Sequence, residues 1–157
     1  MKQRKTNPKT RYIAFVASSV DGRISLRERS RPNWTSKEDW EFLQKSLKRF
    51  DAVVVGKNTY LAAKARLKKR TTYVLSRKIS SVKKDGAVTF VNPGKTDLRK
   101  LLATYKNVAI LGAGGVYQYM LDKGILDELH VTVEPYVFGR GKPMFSGGRR
   151  NHIFTLR

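Results

Sequence analysis

The chain has 157 residues, enough for one domain with its own core, and 40% apolar with 29% charged residues is the balance of a globular protein. The absence of cysteine excludes disulfides, zinc–thiolate centres and thiol nucleophiles. No apolar run approaches the roughly 20 residues of a bilayer span and MKQRKTNPKTR lacks the apolar centre of a signal peptide, so a cytoplasmic protein with no membrane partner is expected. A net charge of +21, from 33 Lys and Arg against 12 Asp and Glu, attracts polyanions and opens nucleic acid as a partner, but it is scattered along the chain and carries no base readout.

Residues 1–10 are polar and basic and read as a flexible tail, leaving 11–157 as a single domain. Arg11 to Ala17 predicts a buried strand, followed over 18–32 by a loop carrying Asp21-Gly22. Thr35 or Ser36 caps a helix with Glu38 and Asp39 in its first turn and Trp40, Leu43, Leu47 and Phe50 at helical spacing. A short strand over 51–56, a basic helix over 59–67, strands over 71–76 and 87–91, a helix over 97–105 and a strand over 108–111 follow. A helix from 116 to 121, ending near Gly124, and strands over 128–134 and 153–156 complete the chain, the last as an edge. Strands alternating with helices imply an α/β fold with a mostly parallel sheet covered on both faces.

In Ile110-Leu-Gly-Ala-Gly-Gly-Val-Tyr117 an apolar run meets three glycines and passes into a helix, an arrangement that aims bare N–H groups at an anion. No Gly-Lys-Ser or Gly-Lys-Thr follows, so it is not a P-loop, and the sixth position from Gly112 is Tyr117 rather than the glycine of a dinucleotide fingerprint. Alone it reads equally well as a tight turn that needs positive φ. In Val55-Gly-Lys-Asn-Thr59 and Leu75-Ser-Arg-Lys78, however, two further strands end in glycine or hydroxyl followed by cations. In a parallel sheet all three stretches lie at carboxyl ends, where ligands of open α/β sheets bind. Three anion-friendly strand ends suit a ligand with several phosphates, such as a dinucleotide carrying an extra 2′-phosphate.

In this order the segments resemble the dihydrofolate reductase superfamily, which includes dihydrofolate reductase and the pyrimidine reductase domain of riboflavin biosynthesis. The resemblance runs from Tyr12 to Phe145 and rests on Ala17-Ser-Ser-Val-Asp-Gly-Arg-Ile24, Gly56-Lys-Asn-Thr-Tyr60, Tyr73-Val-Leu-Ser-Arg77, Gly112-Ala-Gly-Gly-Val-Tyr117, Asp127 to Pro135 and Gly139 to Phe145. It implies a three-layer fold with a late antiparallel edge, and NADPH as cofactor. The cofactor phosphates would meet Gly56, Lys57, Thr59, Ser76, Arg77 and the turn formed by Gly112, Ala113, Gly114, Gly115, Val116 and Tyr117, with the nicotinamide near Ala17 and Ile24. Trp34-Thr-Ser-Lys-Glu-Asp39 is similar to the folate enzyme's Trp and Asp five residues apart. On that pattern Asp39 holds the pterin edge and manages the proton, Thr132 supports it and Trp34 closes the site. Leu43, Leu67 and Leu111 would line the cleft and Arg70 would receive an anionic tail. The first expectation is therefore hydride transfer to a C=N bond of a pteridine, 7,8-dihydrofolate to tetrahydrofolate.

The residues leave other readings open. Asp39 could serve only its helix dipole, and Glu38 could take its role. The riboflavin branch would use the same cofactor site on 5-amino-6-(5-phosphoribosylamino)uracil or its diaminopyrimidinone analogue, with Lys64, Arg66 and Arg70 on the phosphate; its usual Asp-Asn-Pro or Asp-Asp-Pro run is replaced here by Ala63-Lys64-Ala65. A third reading is a basic nucleic-acid-associated protein that has the fold without the activity. A monomer and a homodimer are both compatible with the sequence.

Overall fold

The computed structural model describes residues 9–26, 33–112, 114–148 and 150–157. Strand β1 (Arg11–Ser19) is buried almost continuously instead of on alternate residues, as a parallel strand covered on both faces requires. It lies between β7 (Asn107–Leu111) and β8 (Glu128–Glu134), both parallel to it. Beyond β7 come β3 (Ala52–Gly56), β4 (Thr72–Leu75) and β6 (Val88–Val91), and β5 (Val82–Asp85) closes that side, giving the order β5-β6-β4-β3-β7-β1-β8. A two-stranded pair of β2 (Arg23–Ser25) and β9 (Lys142–Pro143) stands apart from this sheet.

The fold is the three-layer one that the sequence implies, with two differences of detail. The antiparallel strand is β5, at the opposite edge and earlier in the chain than the late antiparallel edge expected; β8, the late strand, pairs parallel with β1. The connections explain both. A helix between β7 and β8 makes a crossover, which delivers a parallel strand, whereas β5 turns directly into β6 at Asp85-Gly86, with Gly86 at φ +61°. Residues 153–156 form no strand, and Ile153 and Leu156 are almost fully exposed. Their residue types favour a strand, but a segment with no hydrogen-bonded neighbour among the described residues has nothing to hold it as one.

Alternation along β3 divides the core. Val53 and Val55 face one layer with Ile13, Phe15 and Val74, covered by Leu47 of α1 (Lys37–Leu47), Tyr60 of α2 (Lys57–Ala62) and Leu67 of α3 (Lys64–Leu67). Ala52 and Val54 face the other with Tyr12, Ala14 and Ile110, covered by Leu98 and Leu102 of α4 (Leu98–Leu102) and Met120 of α5 (Gly114–Asp122). The single helix expected over 59–67 is two short ones, broken where Ala63 leaves the helical region at φ −122°. Thr10, read as tail, is buried and its hydroxyl donates to the Tyr105 carbonyl at 2.8 Å; residues 1–8 of that tail lie outside the described residues. Among the described residues no helix is long and apolar enough to cross a membrane.

The loop after β1 is fastened to the turn before β9. The Asp21 carboxylate accepts from the Ser19 hydroxyl at 2.7 Å and from the Phe138 and Gly139 N–H groups at 3.0 and 2.8 Å. The Met144 N–H donates to the Gly22 carbonyl at 3.0 Å, and a Cβ at Gly141, φ +114°, would fall on the Ser25 carbonyl oxygen, so only glycine lets the two strands close.

The Ser19 hydroxyl and then the two backbone donors hold the Asp21 carboxyl at about 2, below its ordinary 3.8. A lowered carboxyl pKa stabilises the folded clasp above the ordinary value, and that contribution is lost as pH falls through the lowered one. The Phe138 and Gly139 amide resonances are therefore expected to titrate with a midpoint near 2 and to lose that titration in Asp21→Asn. A midpoint near 3.8 would show that these bonds do not hold the carboxylate.

Candidate functional site

β3, β4 and β7 end side by side on the carboxyl edge of the sheet at Gly56, Leu75 and Leu111. The chain leaves β3 for the α1–α3 layer and β7 for the α4–α5 layer, and the divergence opens a crevice between them. The Gly56 N–H donates across it to the Gly112 carbonyl at 3.1 Å. Gly112 is at φ +43°, and a Cβ there would stand 3.3 Å from Tyr117 Oη and 3.7 Å from Thr59 Oγ1. The Tyr117 hydroxyl accepts from the Gly112 N–H at 2.7 Å and donates to the Phe15 carbonyl at 2.6 Å, pinning the turn to β1. Burial pushes this phenol well above its ordinary range against the opposing pull of the Gly112 N–H, so it remains a donor. Its side chain is thus committed to the fold.

The turn is packed closely on one side and open on the other. A Cβ at Gly114 would stand 2.9 Å from the Pro143 carbonyl oxygen and 3.1 Å from that of Met144, while one at Gly115 would meet open space. The Gly114 and Gly115 N–H groups, in the first turn of α5, have no acceptor among the described residues. Ala113 lies outside the described residues. Val116 is buried in the core beneath them. On the neighbouring strand ends Lys57 and Arg77 are exposed and make no ion pair among the described residues, and the buried Ser76 Oγ accepts from the Lys78 N–H at 3.4 Å. Bare N–H groups, open space and two unpaired cations suit an anion with more than one charged group.

Beside this cradle, Asp39, Ala17, Leu43 and Thr132 share a small cavity of about 40 Å³ with Phe15, Val16, Phe42 and His130. Ala17 and Thr132 are register partners in β1 and β8. Asp39, Phe42, His130 and Thr132 also line a larger cavity of about 1450 Å³ that runs along the outer edge of β8 to residues 151–157. His130 stacks on Phe15 with ring centres 5.0 Å apart, and its Nε2 is 3.6 Å from Glu128 Oε2. The Arg11 guanidinium, and after it His130, hold the Glu128 carboxyl below the ordinary range. Glu134 Oε1 accepts from the Ser36 N–H at 2.7 Å and the Ser36 hydroxyl at 2.8 Å, and Ser36 Oγ accepts from the Asp39 N–H at 3.2 Å. His130 and Glu134 lie in the strand expected over 128–134 without a site role in the reading of the sequence, although strand alternation puts both on the Thr132 face.

Other expected residues lie apart. Trp34 lines neither cavity; it packs edge-on against Phe138 at 5.0 Å and Tyr136 at 6.1 Å, and its Nε1 is buried with no acceptor among the described residues. Leu67 is in the core, Leu111 ends β7 against the same layer, and Ile24 packs from β2 on the other layer. Arg70 donates to the Leu47 carbonyl at 3.4 Å, at the far end of α1. Eight residues separate Leu47 from Asp39, roughly 12 Å along a helix. Arg66 lies over the ring of Trp40, the residue after Asp39, 5.6 Å from its centre.

A family model, the RibD C-terminal domain, matches residues 11–157. The chain is 28% identical over 147 residues to the uncharacterized protein YwjB of Bacillus subtilis, covering 85% of this chain and 81% of that protein. It superposes on the diaminohydroxyphosphoribosylaminopyrimidine deaminase/5-amino-6-(5-phosphoribosylamino)uracil reductase of Thermotoga maritima with a TM-score of 0.70 and 20% identity, over 91% of this chain but only 50% of that one. Dihydrofolate reductase from Enterococcus faecalis, solved with NADP(H), gives a TM-score of 0.64 and 23% identity over 89% of this chain and 79% of that one.

The two helical glycines should respond in opposite ways. Gly114→Ala sets a Cβ against backbone and is expected to cost about 1–3 kcal/mol. Gly115→Ala meets nothing and is expected to leave stability unchanged or raise it by about 0.5 kcal/mol. Thermal unfolding of the two variants checks this, and equal losses would show that the approach of Pro143 to α5 is not as described.

Proposed function

Because the chain belongs to the RibD C-terminal domain family, we propose that it is an NADPH-dependent reductase of a phosphoribosylated aminopyrimidine, 5-amino-6-(5-phosphoribosylamino)uracil or its diaminopyrimidinone analogue. The family match favours this substrate over the dihydrofolate that the Trp34–Asp39 spacing suggests. The observation that carries the reading is the meeting of Asp39, Thr132 and Ala17 in one cavity with Phe15, whose carbonyl accepts from Tyr117 of the glycine turn.

The cradle fits the cofactor. The free N–H groups of Gly114 and Gly115 suit a pyrophosphate, the Thr59 hydroxyl stands against Gly112, and Lys57, Ser76 and Arg77 supply cations and a hydroxyl for a 2′-phosphate. When bound, NADPH supplies the hydride. The substrate's ribosylamino group has an open-chain imine form, so reduction adds hydride to the sugar carbon and a proton to nitrogen, giving an alkylamine. Asp39 offers its carboxylate to the N–H edge of the pyrimidine, with the Thr132 hydroxyl in the same cavity, and the proton for the nitrogen comes from water, taken up by Asp39 and passed on. Phe15, Val16, Phe42 and Leu43 keep the reacting bond dry. Arg66, held over Trp40 in the first turns of α1, takes the phosphate together with Lys64 of the same helix. Arg70, about 12 Å along α1 and occupied by Leu47, is the less suitable partner for a compact ribotide.

NADPH oxidation by the purified protein, with the ribotide and 7,8-dihydrofolate offered separately, tests the reading. Turnover of the ribotide is expected, with Asp39→Asn lowering kcat/KM about 10²-fold while NADPH still raises the melting temperature. Turnover of dihydrofolate alone would return the protein to the folate reading. Protection by NADPH without turnover of either would leave the cofactor and remove the substrate. Arg77→Ala is expected to raise KM for NADPH about tenfold with little change for NADH, since it removes only the 2′-phosphate contact.

A further inference from the structure

We propose that Glu134 is a positioning residue that clamps the start of α1 from β8 and thereby aims Asp39; the proposal rests on the reading of Asp39 as the substrate carboxylate. β8 is an edge strand whose side chains are mostly accessible. Val133 is 61% exposed, whereas the next residue, Glu134, is 4% exposed and is the one buried side chain of the strand. A carboxylate removed from water is costly unless donors compensate it. Among the described residues the donors to Glu134 are the N–H and the hydroxyl of a single residue, Ser36, both to Oε1.

Ser36 is the N-cap of α1, in extended backbone at φ −67° and ψ 159°, and its oxygen takes the Asp39 N–H. An N-cap serine ordinarily needs only its own hydroxyl to satisfy the first turn. Here the hydroxyl proton goes to Glu134, which leaves the oxygen lone pairs turned to Asp39, and the Ser36 N–H is tied as well. The cap residue is thus held at both of its donors, and the helix start cannot slide or rotate about it without leaving the buried carboxylate short of its donors. Thr132 and Glu134 are two residues apart on one strand and point to the same side. One strand therefore fixes Asp39 twice, through the cavity wall that Thr132 forms and through the cap that Glu134 holds. Glu134 touches neither cavity, so its effect on the reaction passes through Ser36.

Two measurements on Glu134→Ala, Glu134→Gln and Ser36→Ala test this. Amide exchange without ligand is expected to quicken roughly fivefold at residues 38–40 in Glu134→Ala, with the strands of the sheet unchanged, and less in Glu134→Gln, which keeps an acceptor. In turnover, Glu134→Ala is expected to lower kcat about tenfold alone and less than twofold on an Asp39→Asn background, because both changes disable one unit. A full loss in both backgrounds, or exchange at residues 38–40 unchanged in every variant, overturns the proposal. If the wild type turns over no ribotide yet exchange at the helix start quickens in Glu134→Ala and Ser36→Ala, the proposed function fails while the clamp stands.

Discussion

A parallel strand can be reached only through a crossover, and this requirement governs everything else in the molecule. Because β6, β4, β3, β7, β1 and β8 all run the same way, their carboxyl ends open on one edge, and every polar or flexible residue placed after a strand arrives there. The glycine turn, the Gly56–Thr59 and Ser76–Arg77 stretches and the Asp21 clasp are far apart in sequence, and one backbone rule gathers them. The crevice is held open by chemistry as much as by topology. Tyr117 spends its hydroxyl on Gly112 and Phe15, so the residue that follows β7 is tied to β1 by a side chain of α5.

The same rule explains what was legible in the sequence. Buried strands such as Val53 to Val55 declare themselves as unbroken apolar runs, and the Ser36 cap followed by Glu38 and Asp39 declares the start of α1. The hairpin at Asp85-Gly86 that makes β5 antiparallel is not among the expected elements, because the exposed and mostly charged Val82–Asp85 shows no apolar run. What could not be read is pairing. The segment over 153–156 has the pattern of a strand, but a pattern does not supply the neighbour that hydrogen-bonds to it. Likewise, alternation places His130, Thr132 and Glu134 on one face of β8 without saying that α1 lies opposite, so the buried carboxylate and the ring on Phe15 emerge only in three dimensions.

Single-residue roles follow the same division. Arg70 reads from sequence as a free cation in a basic run, yet a carbonyl at the end of α1 is within reach and takes it. Helix C-termini carry partial negative charge and attract such a group whether or not a ligand exists. Trp34 is similarly drawn away from Asp39, because Tyr136 and Phe138 offer its ring two edge-on partners. Residue spacing along the chain thus fixed which side chains begin near Asp39, and competition for local partners decided which of them stay.

The excess of cations bears on function through position more than through amount. At physiological salt the field of an exposed charge fades within about 8 Å, so a net charge of +21 speeds the arrival of any anion but cannot choose among them. Choice falls to cations held in a defined place. Arg66 lies over the ring of Trp40, 5.6 Å from its centre, and Arg70 is held by the Leu47 carbonyl at the far end of α1. Arg66 in α3 and Arg70 beyond its end thus meet different parts of α1, a distinction that the total charge does not make.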